Sequence, residues 1–255
     1  MPLELVTIPC LKDNYAFLIH DEESGQTSVI DVPEAAPILA ALAARGWELS
    51  DILLTHHHDD HIAGVPELRA KTGALVTGAE ADIRRLPPLD LAVSEGMSVT
   101  IGREFGQVID VPGHTVGHIA FYFPQSGLVF TGDSLMAMGC GRLFEGTPAQ
   151  MWESLSKLAA LPPDTLVCSG HEYTSGNARF ALSLEPDEPA IKSRASAVEQ
   201  ARANGQPTVP SRLSDELATN PFLRASNPRM KAVLGMDRAQ DAAVFGEIRA
   251  RKDRF

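Results

Sequence analysis

Basic residues are the scarcer charge in this chain, and their shortage makes the first exclusion. Twenty-two Lys and Arg stand against 33 Asp and Glu, a formal net charge of −11. A nucleic-acid partner wants a broad basic surface to replace the counterions on its phosphates, so none is expected. An anionic small substrate remains open, because it needs only a few local cations. The balance shifts at the end of the chain, where residues 237–255 carry five Arg/Lys and four Asp/Glu. Cysteine is scarce as well. Cys10, Cys140 and Cys168 are an odd, widely spaced set with no CxxC pair, which reads as reduced thiols in a cytoplasmic protein and not as a disulfide framework. No run of 18 uncharged apolar residues occurs, so no membrane span is expected. Met1-Pro2-Leu3-Glu4 is not a basic segment leading into an apolar one, so no signal peptide is expected either.

What is present suffices for a core. With 44% hydrophobic residues, 255 residues can form one large domain or two smaller ones. Short apolar or β-branched runs bounded by turn residues predict strands over 3–8, 15–19, 28–32, 51–55, 74–77, 99–101, 107–111, 119–123, 128–131 and 165–169. A helix is expected over 34–45, stopped by Gly46, and another from Thr147-Pro148 to about 161. From Ser175 onward the texture becomes helical, over 178–184, 189–204, 213–218 and 239–252. The segments 205–210 and 220–228 read as connectors. The expectation is a mixed α/β domain over 1–173 and a small helical domain over 174–255.

The densest chemistry is Thr55-His56-His57-His58-Asp59-Asp60-His61, which follows the strand at 51–55 and holds four of the chain's eight histidines. A His-rich solvated loop is the bland alternative. Placement directly after an apolar strand makes a metal site the better reading. On an extended segment His56 and His58 point the same way and can reach one ion. Asp60 and His61, where the chain turns into a helix, can face a second. His57 and Asp59 fall on the other phase. Three more predicted strands each end in one ligand-type residue: His114, Asp133 and His171. Ligands collected from strand ends are how such sites are assembled from distant sequence. Asp133 is the candidate to bridge two cations. His118 is expected in a supporting role, His20 at the surface, and Cys168 in the core.

Two divalent ions so held lower the pKa of bound water from about 16 towards 7 and share a hydroxide, so no Ser or Cys nucleophile is needed. Asp60 and Asp133 are the candidate catalytic carboxylates. His and Asp donors suit zinc, iron and manganese.

In its order of Thr-His-x-His-x-Asp-His, then a lone His, Asp and His, the chain resembles the metallo-β-lactamase superfamily. The resemblance implies an α+β fold, a four-layer αββα sandwich here followed by a small all-α domain. It also implies His56, His58 and His114 on one metal, Asp60, His61 and His171 on the other, and Asp133 shared, with zinc foremost. Within that superfamily, Gly139-Cys140-Gly141-Arg142-Leu143-Phe144-Glu145-Gly146-Thr147 resembles the substrate loop of glyoxalase II, the hydroxyacylglutathione hydrolases. His171-Glu172-Tyr173-Thr174, Thr219-Asn220-Pro221-Phe222-Leu223-Arg224 and Arg249-Ala250-Arg251-Lys252-Asp253 are similar to other stretches of that family.

The implied reaction is hydrolysis of an S-(2-hydroxyacyl)glutathione, foremost S-D-lactoylglutathione, to D-lactate and glutathione in methylglyoxal detoxification. The implied protein is a cytoplasmic monomer. Arg142, Leu143, Phe144, Tyr173, Arg249 and Lys252 are the implied substrate residues. Arg249 and Lys252 share one helix face, although cations near a helix C-terminus are favoured with or without a ligand. Arg142 replaces a lysine of many relatives, and Phe144 replaces a tyrosine, keeping the ring and losing its hydroxyl. The runner-up is a persulfide dioxygenase of the same superfamily with a single iron. A non-catalytic scaffold would have lost a ligand, and all seven are present.

Overall fold

The structure, a computed structural model, describes residues 2–255. Its contacts divide the chain into two compact units, the first comprising residues up to 110 with 116–132, the second 111–115 with 133–255.

In the first unit, β1 (Glu4–Cys10), β2 (Asn14–His20), β3 (Thr27–Ile30), β4 (Leu49–Leu53), β5 (Leu75–Ala79) and β6 (Leu91–Val93) form one sheet in sequence order. The first three strands are antiparallel, and β3 to β6 run parallel. Parallel neighbours need a crossover. Helix α1 (Ala35–Arg45) supplies it between β3 and β4, and the short α2 (Asp59–Ile62) with α3 (Val65–Thr72) between β4 and β5. Ala35, Ile38 and Leu42 form the buried stripe of α1, which stops as expected at Gly46 in the left-handed region. Four antiparallel strands follow: β7 (Ser98–Ile101), β8 (Glu104–Asp110), β9 (Ile119–Phe123) and β10 (Leu128–Gly132). Strands β2, β9 and β10 are buried along their whole length, whereas β7 alternates exposed and buried. The two groups of strands face each other through aromatic rings, Phe17 of β2 lying 5.6 Å from Phe130 of β10.

In the second unit, the hairpin β11 (Leu135–Met136) and β12 (Gly139–Cys140) precedes α4 (Pro148–Ala159). Thr147 caps α4 reciprocally with Gln150, with proline in the first turn. The chain continues through β13 (Leu166–Ser169), α5 (Thr174–Leu184), α6 (Pro189–Ala203), β14 (Ser211–Arg212), α7 (Leu213–Thr219), α8 (Pro228–Leu234) and α9 (Asp241–Arg254). Met138 packs with Ala178, Ala181, Ile191 and Ala195 of α5 and α6. Phe245 of α9 meets Trp152 of α4 at 6.3 Å and Phe222 at 5.8 Å.

Every predicted strand is found. The elements not anticipated are short: β6, β11, β12, β14, the α2–α3 pair and α8. His20 corrects the sequence reading. It is buried, its Nδ1 lies 2.8 Å from Thr27 Oγ1, and its ring stacks on Trp47 at 4.1 Å. The tryptophan that follows the α1 stop covers a position that strand-end logic had assigned to solvent. Among the described residues, no helix is long and apolar enough to cross a membrane.

Candidate metal centre and substrate loop

The first unit fixes its donors from β3 and β4. Asp31, just beyond β3, has a positive φ of 57° and is buried. Its Oδ1 accepts the Thr55 backbone N–H at 2.9 Å, and its Oδ2 accepts Thr55 Oγ1 and His61 Nδ1, both at 2.8 Å. Because the Thr55 hydroxyl donates to Asp31, it accepts from His56 Nδ1 at 3.0 Å. Both imidazoles thereby carry their proton on Nδ1 and leave Nε2 as the basic nitrogen, the tautomer in which Nε2 can ligate a metal. The His56 ring lies 4.8 Å from that of His58 and 4.2 Å from that of His61. Asp60 is held by Asn14, whose Nδ2 donates to Asp60 Oδ2 at 3.0 Å and to its carbonyl at 2.9 Å. The same Oδ2 is 3.9 Å from His61 Nε2.

His57 turns away, as its phase predicted, and pairs through Nδ1 with Asp82 at 2.9 Å. His118 stacks on His56 at 4.6 Å and bonds the Ile119 carbonyl, a supporting role. Gly132 is required here, since a Cβ at that position would collide with Thr55 Oγ1 and His118.

The second unit gathers His114, Asp133 and His171, all buried. Asp133 Oδ2 lies 3.5 Å from His114 Nε2 and 3.3 Å from His171 Nε2. His114 Nδ1 donates to the Arg142 carbonyl at 2.8 Å, so here too Nε2 carries the lone pair. A Cβ on Gly141 would strike both Asp133 and His114. Phe144 sits edge-on to His114 at 5.3 Å, and Tyr173 stacks on His171 at 4.5 Å. With Nδ1 of His56, His61 and His114 each directed at a protein acceptor, the donor sets in both units fit divalent metal ions.

The loop expected to meet substrate begins at β12. Arg249 is buried; it donates to the Cys140 carbonyl at 3.0 Å, binds Asp253 Oδ1 through Nε and a terminal nitrogen, and lies over Phe222 at 5.0 Å. Its guanidinium therefore fixes loop backbone. Lys252 Nζ donates to the Gly176 carbonyl at 3.0 Å and lies 5.2 Å from the rings of both Phe180 and Phe255. Burial, then the neighbouring cations Arg249, Arg179 and Arg142, push its ammonium down to about 8. Arg142 and Phe144 are exposed, and Leu143 is half-buried between them. Burial raises the Cys140 thiol to about 11 and the Cys168 thiol further still, so neither offers a thiolate.

Sequence reasoning missed Asp31 and Asn14. The signal for Asp31 was available: it is an acidic residue at the end of a predicted strand, as His114, Asp133 and His171 are.

Residues 20–171 match the metallo-β-lactamase superfamily, and residues 172–255 match the hydroxyacylglutathione hydrolase C-terminus. Fold and donors thus define a metal-dependent hydrolase of the metallo-β-lactamase class, an α+β sandwich with a helical C-terminal part. The fold is also that of the B3 metallo-β-lactamase BLEG-1, with a TM-score of 0.68 at 21% identity over 86% of this chain and 99% of that one. TTHA1623, solved in a di-iron-bound form, is 32% identical over 66% of this chain and 91% of its own, with a TM-score of 0.56. The hydroxyacylglutathione hydrolase of Cereibacter sphaeroides (strain ATCC 17025) is 68% identical over 255 residues, covering 100% of both chains. The chain belongs to the hydroxyacylglutathione hydrolase family.

Proposed function

We propose that this protein hydrolyses S-(2-hydroxyacyl)glutathione thioesters, with S-D-lactoylglutathione as its substrate, yielding D-lactate and glutathione in methylglyoxal detoxification. The observation that carries the chemistry is one carboxylate oxygen of Asp133 standing between the Nε2 atoms of His114 and His171. The full-length relative supplies the substrate class.

His56, His58 and His114 would hold one divalent ion, Asp60, His61 and His171 the other, and Asp133 both. Zinc is our first choice, with iron or manganese admissible, since a 32% identical relative holds two irons. Bound ions supply nucleophile strength to water at neutral pH and stabilise charge developing on the thioester carbonyl. The chain does the rest. Asp31 and Thr55 keep two imidazoles in one tautomer. Asp60, held by Asn14, takes up a proton during turnover. Phe144 and Tyr173 flank the imidazoles and shape the acyl pocket. Arg142, Leu143 and Lys252 receive the glutathione moiety, and Arg249 holds the loop that presents Arg142.

In this reading residues 1–173 are catalytic and 174–255 bind substrate. The protein works in the cytoplasm as a monomer, and three free buried cysteines support a reducing compartment. The persulfide dioxygenase alternative is not favoured, given a hydroxyacylglutathione hydrolase at 68% identity over the whole chain. Steady-state rates on S-D-lactoylglutathione, a simple β-lactam and a phosphodiester test the assignment. Turnover of the thioester alone is expected, and preference for either other substrate, or oxygen consumption with a persulfide, would overturn it.

A further inference from the structure

Lys252 has a cationic neighbour that the substrate assignment leaves out. Arg179 lies on α5, three residues after Gly176, and its terminal nitrogen is 3.9 Å from where a Cβ on Gly176 would stand. Apart from its chain neighbours and the backbone of its own helix, no other atom comes within 4 Å of that position. Lys252 reaches the same glycine from α9, donating to its carbonyl at 3.0 Å. Two helices therefore bring a guanidinium and an ammonium to a residue without a side chain, and the space beside it is open.

Neither cation forms an ion pair with an acid, although the charge of Asp253 is felt by Lys252. Arg179 is exposed, and among the described residues it has no hydrogen-bond or ion-pair partner. The nearby carboxylate, Asp253, is engaged by Arg249. A solvated arginine on a helix surface is the ordinary alternative. Arg179 sits six residues into an eleven-residue helix, too early to gain from the C-terminal end of its dipole. Its nearness to Lys252 also costs, since together with burial, Arg249 and Arg142 it depresses that ammonium. Like charges crowded into a chain of net charge −11 are accounted for when an anion joins them.

We propose that Arg179 is a substrate-binding residue that, with Lys252, pairs with one carboxylate of the glutathione moiety across the gap at Gly176. This rests on the reading of the protein as a glutathione thioesterase and extends it to a residue outside the implied substrate set. An exposed guanidinium contributes uniform binding and should act on KM, not on the chemical step.

The test is steady-state kinetics of wild type, Arg179→Gln and Arg179→Lys on S-D-lactoylglutathione and on S-D-lactoyl-N-acetylcysteamine, a thioester without carboxylates. Arg179→Gln is expected to raise KM for the glutathione thioester about tenfold and leave kcat within about twofold. Arg179→Lys should recover most of that loss, and the neutral thioester should not distinguish the three proteins. Unchanged KM in Arg179→Gln, or an equal loss on both substrates, would overturn the assignment while wild type still prefers glutathione. A wild type that prefers the neutral thioester would instead overturn the functional reading, and this inference with it.

Discussion

At the scale of single residues, Asp31 and Lys252 show how environment sets chemistry. Asp31 makes no claim to be a ligand, because its oxygens are taken by Thr55 and His61. Through one hydroxyl and one direct bond it orients two imidazoles, the kind of support whose loss typically weakens metal affinity about 10–100-fold. Lys252 carries the clearest pH dependence. Its ammonium, depressed from 10.5 to about 8, is charged below pH 8 and neutral above. Between the folded and unfolded pKa values the unfolded chain binds more protons, so this residue's contribution to stability improves as pH rises through that window. In its proposed role, substrate binding moves the opposite way, because the charge proposed to attract a carboxylate is lost. KM for S-D-lactoylglutathione should therefore rise between pH 7 and 9. Lys252→Arg, which keeps its charge, should flatten the profile; a flat wild-type profile would contradict this role.

At the scale of elements, the C-terminal helices brace the hairpin of β11 and β12. Met138, in the turn between β11 and β12, has a positive φ of 54°, a conformation that costs a non-glycine residue about 1 kcal/mol or more. Its N–H donates to Glu216 of α7 at 2.7 Å. Asn220 Nδ2 reaches the carbonyls of Gly139 at 2.9 Å and Met136 at 3.1 Å, and Asn177 of α5 bonds the Ala137 carbonyl at 3.0 Å. Glu216, fully buried, is neutralised by Arg194 of α6. Three helices thus hold the backbone that leads to Arg142. Glu216→Ala leaves the Met138 N–H without its acceptor and Arg194, which keeps only its bond to Thr219 Oγ1, without its carboxylate, and should cost about 3–5 kcal/mol in denaturant unfolding. Glu216→Gln, which keeps the acceptor oxygen, should cost less, and equal losses would show that the bonding pattern is immaterial.

The same elements show what could be read from sequence. Long or strongly patterned segments, such as β2, α1, α4 and α6, were legible because burial imposes periodicity on enough residues to be seen. Strands of two or three residues, as in β11, β12 and β14, carry no periodicity. Helix α8 did announce itself, through Asn227, Pro228 and Gly235, but its seven residues lay beside a stretch read as a connector. The seven proposed metal ligands were legible because each sits at a strand end or in one dense motif. Arg179 was not, since nothing in a sequence says that an arginine on α5 will meet a lysine on α9.

At the scale of the whole molecule, an acidic chain brings Arg179 and Lys252 beside Gly176 and places its histidines at the ends of strands. The charge distribution suits a small substrate bearing carboxylates and repels polyanions. In the proposed mechanism turnover depends on two ions that seven side chains would hold, with Asp133 common to both. Metal content per chain should be measured by elemental analysis on the same samples used for S-D-lactoylglutathione hydrolysis, through chelation and stepwise reconstitution, in wild type and Asp133→Ala. The account predicts that activity returns in step with two equivalents of metal in wild type, and that Asp133→Ala retains neither full metal nor activity. Full activity in metal-free protein, or an Asp133→Ala variant that binds both ions and turns over normally, would contradict it.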